Sequence, residues 1–297
     1  MSGMKEGSDL PPIRPKETSM GSPLKDRRPT EASLSASRDL DQKPVEEILG
    51  LIHAEDAAAH AAVGRCLPAM AEAADVLAAC LAGGGHWFNV GAGTSGRLGV
   101  LDASEIPPTY GMSPRTVQAV MAGGERAIRN AVEGAEDDRQ AAGFELMERG
   151  LGLGDAVLGI SASGRTPFVL GAMEKAHEAG ARTLCITCDP NSELASSVEV
   201  AIVPEVGPEV VTGSTRMKGG LAQKMVLSAL STTVMVKLGR VSGNRMTHMA
   251  PMSDKLRGRA VRIVMDLSGV DFDSARSLLR ETEGCVASAV HRATQSR

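Results

Sequence analysis

Aromatic side chains are rare in this sequence and account for only 2% of its 297 residues. Proteins that bind nucleic acid by base stacking need exposed rings, so this scarcity argues against such a function. The formal net charge of −4 also gives no overall positive field that would attract DNA or an anionic membrane. We therefore expect neither nucleic acid nor membrane as a partner, and any anion site must be local.

Cysteine is also scarce, and an odd number of five does not indicate a disulfide framework. Cys185 and Cys188 form a CxxC pair, but they lie in an apolar, strand-like run. We interpret them as small buried residues rather than a redox or metal pair. The six histidines have no metal-like spacing, so we predict no metal site. Free thiols fit a reducing cytoplasm, where we expect the protein.

Long apolar runs are missing as well. No segment is long and apolar enough to cross a bilayer, and no signal peptide is visible at the N-terminus. Residues 1–30 are rich in Pro, Ser and charged residues without any hydrophobic periodicity. This composition predicts a disordered tail.

Strand-like and helical runs alternate through most of the remaining sequence. From Val45 onward apolar residues recur at three- and four-residue spacing, which indicates helix. The alternation predicts an α/β fold over residues 31–250, a three-layer, doubly wound parallel sheet with helices on both faces. Helix start and stop signals in residues 251–297 predict a small C-terminal helical appendage. The runs that we interpret as strands are 87–90, 156–160, 183–187 and 201–206.

Two loops rich in glycine and hydroxyl groups each follow a strand-like run and lead into a helix. They are Gly91-Ala-Gly-Thr-Ser-Gly-Arg97 and Ser161-Ala-Ser-Gly-Arg-Thr166. Such loops lie at the carboxyl ends of parallel strands, where helix N-termini attract anions. The alternative, that the hydroxyls merely cap helices, stays open. We predict a phosphate site formed by Thr94, Ser95, Ser161, Ser163 and Thr166.

A third polar segment, residues 209–218, also precedes a helical run. Cations are unfavourable at a helix N-terminus, so Arg216 and Lys218 mildly favour a bound anion over a solvated first turn. The candidate substrate-binding residues are Arg97, Ser214, Thr215, Arg216 and Lys218.

Glu105 stands just before Pro107-Pro108, which predicts that it lies at the C-terminal end of its helix. The negative end of the helix dipole and Asp102, one turn back, would both favour the protonated form. A carboxyl group that holds a proton is typical of a general acid. A solvated helix end is the alternative that the sequence leaves open.

Glu136 is the second carboxylate in an unusual place. Ile128, Val132 and Ala135 predict a helical stripe, and Glu136 falls at the edge of that apolar face. A carboxylate there is partly desolvated or paired, and the plainer alternative is a salt bridge to Arg139.

Together these sequence motifs resemble those of the N-acetylmuramic acid 6-phosphate etherases. These enzymes use the sugar isomerase (SIS) fold, a flavodoxin-like arrangement. The resemblance covers roughly residues 30–290. The loops alone are shared with isomerases and regulators, whereas Asp-Ala-Ser-Glu followed by Pro-Pro-Thr-Tyr is far more specific. The matching strings are 91–99, 101–105, 107–111, 122–125, 132–137, 161–167 and 210–218.

The resemblance implies a lyase of cell-wall sugar recycling that needs no cofactor. Such an enzyme cleaves the D-lactyl ether of N-acetylmuramic acid 6-phosphate by elimination and then hydration. The products are N-acetylglucosamine 6-phosphate and D-lactate. Glu105 would protonate the departing lactate and later activate water, and Glu136 would remove the C2 proton. The resemblance also implies that the loop hydroxyls hold the sugar phosphate and that the chain forms a homodimer.

Some features depart from the family pattern. Thr30-Glu31 is followed by Ala-Ser-Leu where the family usually has an Asn, the polar tail is longer, and we expect the appendage to be shortened. Two other functions on the same fold stay open. A non-catalytic sugar-phosphate sensor would need neither glutamate, and an aldose–ketose isomerase would release no lactate.

Overall fold

The computed structural model describes residues 28–249, 251 and 253–295. Nearly all of the predicted disordered tail, residues 1–27, lies outside the described residues. The described part begins with a 3₁₀ turn at Pro29–Glu31, in which Thr30 is buried.

Five parallel strands form the central sheet in the order β2-β1-β3-β4-β5. This order confirms the predicted doubly wound α/β fold, with the topological switch point between β1 and β3. Most strand residues are buried, as expected for a sheet covered on both faces. The strands are β1 (Trp87–Gly91), β2 (Val117–Met121), β3 (Ala156–Ile160), β4 (Arg182–Ile186) and β5 (Val200–Ile202).

The β2 strand was missed by the sequence-based prediction. It is an edge strand that pairs only with β1, and Gln118 and Ala119 within it are half-buried. A short run interrupted by a polar residue has little of the strand signal that a fully buried run carries.

Two helical layers cover the sheet. The helices are α1 (Val45–Arg65), α2 (Leu67–Ala82), α3 (Gly93–Tyr110), α4 (Gly124–Arg129), α5 (Ala141–Glu148), α6 (Pro167–Glu178), α7 (Glu193–Ser196), α8 (Lys218–Lys237), α9 (Asp254–Ser268), α10 (Phe272–Glu281) and α11 (Val286–Gln295). Side chains of β1 alternate between the two layers: Trp87 packs into the core beneath α1, α2, α3 and α8, whereas Phe88 and Val90 pack beneath α5, α6 and α7.

The last three helices pack on one another around a small apolar core of their own, which confirms a helical C-terminal part. Within the described residues, no helix has the length and apolar character needed to cross a membrane.

The predicted end of α3 at Glu105 is wrong. The helix continues through Pro107 and Pro108 to Tyr110 and ends at Gly111, which has a left-handed φ of 63°. The N–H of Gly111 donates to the carbonyl of Pro107 and closes the last turn. Each proline removes one helical hydrogen bond, yet the helix continues past both, so Glu105 lies a full turn inside the helix.

The predicted helical stripe around Glu136 is also wrong. α4 ends at Arg129, and Asn130 has an extended backbone. Glu136 lies instead in a 3₁₀ turn at Ala135–Asp137, which follows Gly134 at a φ of 75°.

The alternative salt bridge between Glu136 and Arg139 is not formed. The Arg139 guanidinium lies 2.6 Å from Glu174 and 3.1 Å from Glu193. The carboxylate of Glu136 is exposed and is not held by this arginine.

Cys185 and Cys188 are buried, as predicted. Burial raises the pKa of each thiol to about 12, so neither is a reactive thiolate near neutral pH. No cluster of three or more His, Cys, Asp or Glu side chains that could hold a metal occurs in the described part of the chain.

Candidate active site

The first predicted loop forms a tight turn between β1 and α3. A Cβ atom on Gly91 would lie 2.7 Å from the backbone nitrogen of Gly96, so only glycine permits this approach. The turn brings the N-terminus of α3 directly beyond the end of β1. Ala92 is the N-cap and offers no side-chain acceptor, so the first N–H groups of α3 have no side-chain cap and can bind an anion.

The second loop brings three hydroxyl groups together after β3. The Oγ of Ser161 lies 2.9 Å from the Oγ1 of Thr166 and 3.4 Å from the Oγ of Ser163. Gly164, at a φ of 62°, donates its N–H to Ser161 and folds the loop back. Thr166 is the N-cap of α6, yet its hydroxyl makes no cap bond to that helix. The clustering therefore favours a ligand site over simple helix capping.

The N-terminus of α8 packs against both loops. A Cβ atom on Gly219 would lie 3.4 Å from the Cβ of Ala162, and one on Gly220 would lie 3.4 Å from the Cγ2 of Thr94. Thr215 lies at the same place, since its carbonyl accepts the N–H of Gly220. The third predicted segment thus joins the other two.

Gln223 is a residue of this site that the sequence-based reasoning missed. Its side chain is buried on α8, and its Oε1 accepts a hydrogen bond of 2.9 Å from the Oγ of Ser95. Its Nε2 is buried without a partner among the described residues. The available signal was an amide side chain in the run Leu221-Ala-Gln-Lys-Met-Val226, whose only other polar residue is Lys224.

Lys218 does not present a free charge as the sequence suggested. Its side chain is 2% exposed and pairs with Glu55 of α1. The N–H groups of Lys218 and Gly219 donate to the carboxylate of Glu209, itself only 1% exposed. The carboxylate of Glu209 therefore occupies the N-terminus of α8. The charge of Lys218 is paired with Glu55 within the protein.

Among the other residues of that segment, Ser214 is half-buried and Arg216 is exposed. Arg216 has no hydrogen-bond or ionic partner among residues 28–249, 251 and 253–295, so it can still meet an anion.

Arg97 connects α3 to the chain that leads to Glu136. Its guanidinium donates to the carbonyls of Ala127 at 2.7 Å and Ile128 at 3.0 Å, at the C-terminal end of α4. A cation is favourable at this end of a helix. Arg97 thereby fixes the start of the segment that carries Glu136.

Glu136 lines a cavity of about 180 Å³ beside the carboxyl ends of β1 and β2. Ala92, Gly93 and Arg97 line the same cavity. The structure thus brings Glu136 next to the first loop, although the two are more than 35 residues apart in sequence.

Glu105 lines a different cavity, of about 340 Å³, between α3 and α8. Asp102, Lys224 and Ser231 line it too. Burial raises the pKa of Asp102 to about 6, although Ser231 and Lys224 both act to lower it. The sequence-based argument used Asp102 only as a neighbour of Glu105 and did not single out its buried carboxyl group. Among the residues that the structure describes, none lines both this cavity and that of Glu136.

Comparison with protein families gives two overlapping matches. The model of the glucokinase regulatory protein N-terminal SIS domain matches residues 70–177, and the SIS domain model matches residues 145–233.

Several curated proteins are similar over most of the chain. An N-acetylmuramic acid 6-phosphate etherase of Symbiobacterium thermophilum is 49% identical over 88% of this chain and 87% of its own length. One from Bacteroides thetaiotaomicron is 47% identical over 86% of this chain and 94% of its own length. One from Escherichia coli is 49% identical over 84% of both.

Solved structures share the fold at low identity. A phosphoheptose isomerase from Francisella tularensis aligns with a TM-score of 0.51 at 20% identity, over 67% of this chain and 98% of its own. A phosphoheptose isomerase from Neisseria gonorrhoeae aligns with a TM-score of 0.50 at 20% identity, over 64% of this chain and 98% of its own.

Proposed function

The chain belongs to the N-acetylmuramic acid 6-phosphate etherase family, and we propose that it cleaves the D-lactyl ether of N-acetylmuramic acid 6-phosphate. The observation that carries this function is the identity of 47–49% over at least 84% of the chain to proteins of that name. The chain is thus a carbon–oxygen lyase. Its products are N-acetylglucosamine 6-phosphate and D-lactate.

We assign the 6-phosphate to the point where the two loops meet the N-terminus of α8. The hydroxyls of Ser161, Ser163 and Thr166 can donate to phosphate oxygens, and the first N–H groups of α3 add further donors. Thr94 and Ser95 lie in the first turn of that helix. Holding the phosphate fixes the carbon chain of the sugar in one place, which positions the reacting carbons.

The reaction needs one base and one acid at neighbouring carbons. In the open-chain sugar, the aldehyde makes the C2–H acidic, and a base removes that proton. The electron pair forms the C2–C3 double bond as the C3–O bond breaks, and an acid protonates the departing lactate oxygen. Water then adds at C3 and a proton returns to C2.

We assign the base at C2 to Glu136 and the acid for lactate to Glu105. The assignment of the base to Glu136 is supported by its position in the cavity that the first loop also lines. The assignment of the acid to Glu105 is supported by its position on an open cavity, beside a second carboxyl group, Asp102. After elimination, Glu105 is a carboxylate and can take the proton of the attacking water.

We propose a homodimer in which Glu105 of one subunit completes the site of the other. Within one subunit Glu105 and Glu136 line separate cavities, yet the reaction needs both at adjacent carbons. Leu101, one turn from Glu105 on the same face of α3, is 47% exposed, and Val236 of α8 is 49% exposed. Exposed apolar side chains around a functional group are typical of an interface.

We further propose that the reaction takes place in the cytoplasm and serves the recycling of cell-wall sugars. The substrate is a cell-wall sugar, and the five free cysteines suit a reducing compartment.

The function is tested by incubating the purified chain with N-acetylmuramic acid 6-phosphate. We expect D-lactate and N-acetylglucosamine 6-phosphate in equal amounts. A folded protein that binds the sugar phosphate without releasing lactate would favour the sensor function. A protein that interconverts an aldose and a ketose phosphate without lactate release would favour the isomerase function.

A further inference from the structure

Two carboxyl groups share the cavity between α3 and α8. Asp102 and Glu105 are three residues apart on α3, so they lie on one face of the helix. Long side chains of a helix lean toward its N-terminus, over the residue one turn back. The Glu105 side chain therefore leans toward Asp102.

Asp102 is held on one side only. The Oγ of Ser231 donates to its Oδ1 at 2.9 Å, but its Oδ2 is buried without a hydrogen-bond partner among the described residues. A buried, unpaired carboxylate oxygen is costly, whereas a protonated carboxyl group would place an O–H donor there.

Few charges oppose a proton at this place. Lys224 of α8 is the only cation of the described residues that lines the cavity, and its Nζ donates to the Oγ of Ser228 at 2.6 Å. Glu105 and Tyr110 of α3 are the other titratable groups of the lining. Because Asp102 and Glu105 line one cavity, a negative charge on both at once is unfavourable.

We propose that Asp102 and Glu105 form a carboxyl pair that shares one proton, in which Asp102 stores the proton and Glu105 exchanges it with the substrate. This role deepens the proposed function and rests on it. Asp102 does not touch the substrate and is a positioning residue that acts through Glu105. The proton stored on Asp102 passes to the Glu105 carboxylate, and Glu105 gives it to the lactate oxygen as the C3–O bond breaks, so that both groups are then carboxylates. The proton that Glu105 later takes from water restores the pair.

The first test is the pH dependence of lactate release in variants of Asp102 and of its hydrogen-bond partner Ser231. In Asp102→Asn, only Glu105 can hold the proton, so the basic limb of the kcat/KM profile moves down by about one pH unit or more. In Ser231→Ala, the ionised form of Asp102 loses a hydrogen bond, so the limb moves up. Ser231→Thr keeps the hydroxyl and leaves the limb in place.

A merely structural role would lower the rate at every pH without moving the limb, and that result would overturn the proposal. Shifts of the two variants in the same direction would overturn it as well, since the shared proton requires opposite shifts.

The second test needs no turnover, so it stands even if the proposed function fails. In protein labelled with ¹³C at aspartate carboxyls, the Asp102 signal is identified by its absence in Asp102→Asn. We expect the titration midpoint of Asp102 to fall by about half a pH unit or more in Glu105→Gln, because the neighbouring negative charge is gone. An unchanged midpoint would show that the two carboxyls are not coupled.

Discussion

At the scale of single residues, the hydroxyls of the second loop have the clearest physical role. Ser163 and Thr166 each lie within hydrogen-bond reach of Ser161, and all three hydroxyls gain a better partner when a phosphate arrives. Their mutual contacts also keep them in place without the ligand.

Replacing Thr166 by Val keeps the shape of the side chain and removes one donor to the phosphate. A hydrogen bond to a charged group contributes about 2 kcal/mol, so we expect KM to rise roughly tenfold or more with a smaller effect on kcat. Steady-state kinetics of lactate release measure this, and Ser277→Ala on α10 is the matched control. An unchanged KM would place the phosphate elsewhere.

Asp102 makes the stability of the protein depend on pH. Its pKa rises from 3.8 to about 6 on folding, so its stabilising contribution is full below about pH 4 and is lost as pH rises through 6. Relative to Asp102→Asn, the wild type should lose about 2 kcal/mol of unfolding free energy between about pH 4 and pH 7. Denaturant unfolding at several pH values tests this, and parallel curves for the two proteins would contradict it.

Individual site residues were only partly predictable. The sequence grouped Ser161, Ser163 and Thr166 because they are close along the chain. Two hydrogen bonds, Asp102–Ser231 and Ser95–Gln223, join positions more than 120 residues apart. No local sequence pattern predicts such contacts.

At the scale of elements, the start of α8 shows how a helix end is satisfied within the protein. Glu209 accepts N–H groups of Lys218 and Gly219 at 3.0 and 2.9 Å and complements the positive end of the helix dipole. The neighbouring ion pair of Lys218 with Glu55 ties the same end to α1.

In Glu209→Gln, one buried N–H of α8 would face an amide donor instead of an acceptor. We expect a loss of about 2 kcal/mol of unfolding free energy, whereas Glu205→Gln, at an exposed position nearby, should change little. Urea unfolding of both variants checks this. Equal stability of Glu209→Gln and the wild type would mean that this cap contributes nothing.

The elements that the sequence missed or misplaced share a cause. Tertiary packing decides where α3 and α4 end, because local rules place these helix boundaries elsewhere. The α3 helix continues through its two prolines, and α4 ends before Asn130, ahead of Glu136. The strand at Val117–Met121 forms because β1 offers it a free edge. Long helices such as α1 and α8 were predictable because packing and local preference agree.

At the scale of the whole molecule, the alternation of strands and helices sufficed to predict the layered sheet. The strand order could be determined only from the structure, because no single segment of the sequence indicates that β1 pairs with both β2 and β3. We propose that residues 31–250 form the sugar-phosphate domain and residues 251–297 the appendage, whose helices have a separate core.

The proposed dimer predicts that two inactive subunits can restore one active site. Glu105→Gln and Glu136→Gln subunits with different tags are refolded together, and the heterodimer is purified through both tags. If each site combines glutamates of two subunits, the heterodimer has one intact site and about half of the wild-type rate. A heterodimer as inactive as the two homodimers would place both glutamates of a site in one subunit.

The most direct test of the central claim follows the C2 hydrogen and the lactate in the two single variants. The reaction is run in D₂O, with C2 deuteration followed by NMR and D-lactate by enzymatic assay. If Glu136 removes the C2 proton and Glu105 protonates lactate, Glu136→Gln loses both exchange and release, whereas Glu105→Gln keeps exchange and loses release. Near wild-type lactate release by both variants would contradict the assignment of these glutamates to the etherase reaction.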